Sequence, residues 1–111
     1  MSSPYQAQYE QLRSVAHGSI SNSYTALGTA LAHPSRILKL ANTTDADILI
    51  SIDGSNDYDV IPAGAASVYD LCTNRRNRDE KFEFPAGTQF YAKYVSAPTK
   101  NSIYLITIFG E

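Results

Sequence analysis

Asp47-Ile48-Leu49-Ile50-Ser51-Ile52-Asp53-Gly54 is an apolar run of strand-forming residues that ends in a turn signal. β-Branched side chains fit a pleated surface, and an Asp-Gly step supplies the positive φ that a tight reversal needs. The reading places Ile48, Ile50 and Ile52 on one face of a strand and Leu49 and Ser51 on the other. The next strand, Tyr58 to Ile61, is stopped by Pro62.

Working outward, the same grammar recurs. Arg36 to Asn42 alternates, with Leu38 and Leu40 on one face and Lys39 on the other, and Asn42-Thr43-Thr44-Asp45 is a turn cluster. Ala66 to Thr73, Phe82 to Phe84, Gln89 to Val95 and Ile103 to Phe109 read as further strands. Phe90, Ala92 and Tyr94 share one face, and Tyr104, Ile106 and Ile108 share another. Upstream, Tyr24 to Leu31 reads as a strand interrupted at Gly28 or, by its alanines, as a helix, and His33-Pro34-Ser35 breaks the chain. Gly18 and two serines argue against a long helix between Leu12 and Ile20. Strands every eight to twelve residues indicate an all-β fold, a small antiparallel β-sandwich or barrel. Residues 1–10 are polar, contain Pro4, and are expected to form a flexible arm on a single domain spanning 11–111.

The chain has 111 residues, 43% hydrophobic and 18% charged, which suits one folded domain with one core. Its net charge of −2 is unevenly spread: residues 1–39 carry +2, residues 40–74 carry −6, and residues 75–111 carry +2. An acidic middle between basic ends suits docking to a second copy or a partner and argues against nucleic-acid binding, which needs a sustained basic footprint. No segment approaches a membrane span, and the N-terminus has no signal-peptide pattern. The one cysteine, Cys72, excludes an internal disulfide and reads as a buried, inert thiol in a protein made in a reducing cytoplasm.

Candidate chemistry is sparse. Asp53, Asp57 and Asp59 crowd one turn, but no glycine follows three alternating acidic ligands and there is no bidentate glutamate as in a helical calcium loop, so solvated turn acids are the expectation and no metal is assigned. His17 and His33 have no zinc-ligand spacing, and no nucleophile elbow or phosphate loop occurs, so no catalytic residue and no cofactor are assigned. Arg75, Arg76 and Arg78 form the one basic cluster, in a polar loop of eight residues, longer than a hairpin needs. It reads either as a solvated mixed-charge loop or as a docking loop whose guanidinium groups pair with partner carboxylates.

Six phrases carry a resemblance: Arg36-Ile-Leu-Lys-Leu-Ala-Asn42, Ile50-Ser-Ile-Asp-Gly54, Val60-Ile-Pro-Ala-Gly64, Tyr69-Asp-Leu-Cys-Thr-Asn74, Phe84-Pro-Ala-Gly-Thr-Gln-Phe-Tyr91 and Ile103-Tyr-Leu-Ile-Thr-Ile-Phe-Gly110. Over residues 36–110 the chain resembles the β-sandwich virion proteins of tailed bacteriophages, above all the capsid decoration (staple or cement) proteins of epsilon15-like short-tailed phages. The resemblance implies a jelly-roll-like sandwich on the outer capsid surface that bridges neighbouring major capsid proteins as a homodimer. Such a family has no catalytic residues to transfer. The contact candidates are then Asp53, Asp57, Asp59 and the arginine loop, with Tyr5 and Tyr9 in an arm that clamps a neighbour. A tail, neck or fibre adaptor shares the sandwich. A carbohydrate-binding module would use exposed tyrosines as its platform, since the chain has eight tyrosines and no tryptophan.

Overall fold

The computed structural model describes residues 7–71 and 83–110. In them nine strands are formed: β1 (Ala7–Tyr9), β2 (Arg13–Ala16), β3 (Thr25–Ala26), β4 (Ile37–Asn42), β5 (Ile48–Ser51), β6 (Asp59–Ile61), β7 (Ala66–Asp70), β8 (Tyr91–Tyr94) and β9 (Ser102–Gly110). A 3-10 turn, His17–Ser19, follows β2. All pairings are antiparallel and make two sheets. One runs β1-β9-β4-β7, with β2 also on β9, and the other runs β3-β8-β5-β6. The expected all-β sandwich is what the chain forms.

β9 organises the first sheet. Its Ile103 and Leu105 are buried in the core between the sheets, and Thr107 and Phe109 are buried further along the same face, beside Arg13 and His33. Leu38 and Leu40 of β4 join them from the first sheet, and Ile48, Ile50, Ile61, Phe90 and Ala92 oppose them. Period-two alternation is therefore obeyed where it matters, and each large side chain so covered contributes about 1.5–3 kcal/mol. Leu27 and Leu31 close the core from a segment that is mostly irregular: of residues 24–31 only Thr25–Ala26 are strand, and no helix forms. Phe84 makes a single bridge to Ser35 where a strand was expected.

Two polar knots hold the layers. Asn42, at the end of β4, donates to the carbonyls of Ala46 and Ile61, each at 2.8 Å, while its oxygen accepts from Thr44. This ties one sheet to the other, and a buried amide so satisfied costs little. The second knot lies under β1. Arg13, 7% exposed, donates to Glu10 at 2.7 Å, to the carbonyl of Thr29 at 2.7 Å and to that of Ala30 at 3.0 Å. Glu10 also accepts the His33 backbone N–H at 2.8 Å and faces its Nδ1 at 2.9 Å, and the His33 ring stacks on Phe109 at 3.8 Å. Residues 7–10, assigned to the arm from sequence, are thus part of the domain: Ala7–Tyr9 pair with Gly110, Phe109 and Ile108. Glu10 anchors them, a partnership that local polarity does not reveal.

Gly28 makes this approach possible. Its φ is +71°, and a Cβ there would lie 2.7 Å from the Cβ of Arg13. Gly28→Ala is expected to destabilise the protein by about 2 kcal/mol or more, through both strain and steric conflict. A lowered midpoint in urea at unchanged slope is the check.

One face assignment is corrected. Ser51 is fully buried and Ile52 is 42% exposed, the reverse of the expected alternation. The Ser51 hydroxyl accepts the N–H groups of Asp53 and Gly54 and donates to the Asp53 carboxylate at 2.8 Å. Capping of the turn therefore overrides the period at the strand end. The turn spans residues 52–58, longer than a two-residue hairpin, with Gly54 at φ +78° as the Asp-Gly signal requires.

Candidate functional site

The outer face of the first sheet is apolar. Across it, Tyr9, Ile108, Ile37 and Asp70 stand in register in one row; Ile106, Lys39 and Val68 form the next; Ser14, Tyr104, Ala41 and Ala66 form a third. Tyr9 is 73% exposed and Val68 62%. A shallow groove runs between Tyr9, Ile37, Val68, Ile106 and Ile108. An antiparallel sheet that meets water on one face ordinarily turns polar residues to it. Here β9 is largely apolar on both faces, the pattern of a strand covered on both. A contiguous apolar patch of this kind is a candidate surface for a partner.

Among the residues singled out from sequence, Tyr9 lies on this face. The three aspartates do not, and the structure gives each a local task. Asp53 accepts from the N–H groups of Ser55 and Asn56, the Asn56 side chain and the Tyr58 hydroxyl, at 2.8–2.9 Å. These bonds, led by those from Asn56, hold its carboxyl well below the usual carboxylate range. Asp57 accepts from the Tyr24 hydroxyl at 2.5 Å and lies 3.4 Å from Lys93, whose ammonium sits 4.6 Å from the Tyr24 ring centre. Asp59 accepts from the Tyr69 hydroxyl, linking β6 of one sheet to β7 of the other. The acids therefore build the second sheet's turns and rim and are not gathered into one cluster. Among the described residues no group of three or more His, Cys, Asp or Glu side chains is placed to hold a metal ion. Tyr5, Arg75, Arg76, Arg78 and Cys72 lie outside the described residues.

Burial first, and then the bonded aspartates, push the hydroxyls of Tyr24 and Tyr69 above the ordinary tyrosine value. The folded state thus holds these protons more tightly than the unfolded chain. Their stabilisation is full below the ordinary tyrosine pKa of about 10 and declines as pH rises beyond it. Urea midpoints between about pH 8 and 11 are expected to fall on the alkaline side, and Tyr69→Phe to flatten part of that fall.

Alternation puts Tyr104, Ile106 and Ile108 on one face, which does not by itself mark that face as the site. The signal was present in the unbroken run from Ile103 to Phe109, in which both alternating sets are largely apolar. Compared with protein-family models, curated proteins and solved structures, the chain matches none.

Proposed function

We propose that the chain is a virion structural protein of jelly-roll connectivity that binds the outside of a phage capsid through the outer face of its first sheet and staples neighbouring major capsid proteins. The observation that carries the binding role is the apolar face of β9, β4 and β1. The capsid as its target rests on the resemblance of residues 36–110. Connectivity supports the fold part: β1 and β2 follow one another along the same side of β9 and count as one interrupted strand. One sheet then takes the first, eighth, third and sixth strands, and the other the second, seventh, fourth and fifth. That is the order made by rolling up one long hairpin.

Four strands about 4.8 Å apart and three rows about 7 Å apart give a footprint on the order of 400 Å². A standard specific interface covers about 800 Å² per partner, so one face alone binds modestly. Repetition over a lattice makes up the difference, and a dimer that engages two shell subunits gains effective concentration. β7, beyond which no strand pairs among the described residues, is the longest uninterrupted edge at which a second copy can add. Stapling stabilises the shell by mass action, since the protein binds assembled lattice and not dispersed subunits.

Co-sedimentation with capsid shells stripped of the protein tests this. Saturation at a fixed ratio to the major capsid protein, with shells that then resist heat, is expected. Absence of binding, with the protein present at a few copies per particle, would move the reading to a tail or neck adaptor.

A further inference from the structure

The apolar face carries one charge near its centre. Lys39 on β4 lies in register between Ile106 on β9 and Val68 on β7, exposed. Of the other described lysines and arginines, Arg13 pairs with Glu10, Arg36 with Glu83 at 3.6 Å and Lys93 with Asp57, while Lys100 acts on Asp45 without an ion pair. Among the described residues no carboxylate comes within ion-pair distance of Lys39.

We infer that the surface covered by this face is an apolar patch of the shell protein that presents a carboxylate to Lys39. This rests on the docking role proposed above and names the chemistry of the partner. Covering Ile106, Ile37 and Val68 strips water from the ammonium between them. An ammonium desolvated without a partner costs several kcal/mol, whereas a carboxylate opposite it restores a charge-assisted bond and rejects surfaces that lack one. A second copy does not supply that acid. A two-fold axis through the middle of the patch brings the two Lys39 side chains within about 5–10 Å of each other, and like charges so placed oppose docking. The face is therefore suited to a different protein, and a dimer uses another surface.

Carbodiimide coupling on stripped shells, mapped by mass spectrometry, tests this together with Lys39→Met and Lys39→Glu. The wild type is expected to bind and to couple Lys39 to an aspartate or glutamate of the shell protein. Lys39→Glu should weaken binding on the order of 100-fold and Lys39→Met on the order of 10-fold, with unchanged melting temperatures because the side chain is exposed. If the wild type binds and Lys39→Met binds as tightly, Lys39 only guards the face against aggregation, and the inference fails while the docking role stands. Coupling of Lys39 to a second copy of this chain would overturn the choice of partner. A wild type that does not bind shells overturns both.

Discussion

Replacing Ile106 with arginine is expected to abolish binding to stripped shells while the sandwich stays folded. Ile106 is half-buried at the middle of the outer face, between the rows of Tyr9 and Tyr104. In the isolated protein a guanidinium there reaches water along its aliphatic stem, so the cost in stability is expected to stay below about 1 kcal/mol. On docking, the same guanidinium has to be desolvated beside Lys39, with one partner acid at most to share. Losses of 2–4 kcal/mol are typical when a central contact is removed, and a misplaced charge adds to them, so a drop of about 100-fold or more is expected. Val60→Arg is the matched control. Val60 is 46% exposed on the opposite sheet, and its substitution is expected to leave binding unchanged. Binding isotherms and melting curves of both variants decide the matter. Equal losses in the two would mean that no face is privileged.

Arg13→Met is expected to give the largest loss of stability. The Arg13 and Glu10 side chains are 7% and 6% exposed, and removing the guanidinium leaves the carboxylate buried with only His33 and the N–H groups of Ala32 and His33 beside it. Breaking a buried pair from one side typically costs about 3–5 kcal/mol, which for a domain of this size lowers the melting temperature by more than about 10 °C. The double variant Glu10→Gln with Arg13→Met is expected to recover part of this, because no unpaired charge remains. Burial opposes ionisation of Glu10, but bonds from Arg13, His33 and the backbone outweigh it and hold its carboxyl below the ordinary glutamate value. The stabilisation is accordingly present above that ordinary value and is lost as pH falls through the lowered one. Acid unfolding curves of wild type and Glu10→Gln are the measurement, with the shallower curve expected for the variant. The effect is expected to reach the proposed docking as well. Glu10 and Arg13 flank the segment after β1, so releasing them frees Tyr9 from its row beside Ile108 and removes one end of the proposed docking face.

The strands after residue 36 were legible because period-two alternation and turn residues act locally. Leu38 and Leu40, and Phe90 and Ala92, went inward as their spacing requires. What stayed hidden depends on partners distant in sequence. Glu10 and Arg13 look like surface charges until the loop carrying Thr29, Ala30 and His33 is folded over them, and Thr107 tolerates a core position with its hydroxyl 3.4 Å from Arg13. Asp53, Asp57 and Asp59 drew attention as a cluster, yet each is occupied by a tyrosine hydroxyl, two of them more than nine residues away. The candidate face was missed for a related reason. An apolar alternation says that a side chain is covered, and only the sheet order shows that Ile106 and Ile108 face away from the core.

Oxidative footprinting of side chains, on the free protein and on the protein bound to stripped shells, tests the docking face most directly. Both outer faces carry exposed reporters: Tyr9 and Val68 on the first sheet, Tyr58 and Val60 with the second. Shell binding is expected to protect Tyr9, Val68 and Ile106 and to leave Tyr58 and Val60 as reactive as before. Protection of Tyr58 and Val60 with Tyr9 and Val68 unchanged would contradict docking through the first sheet.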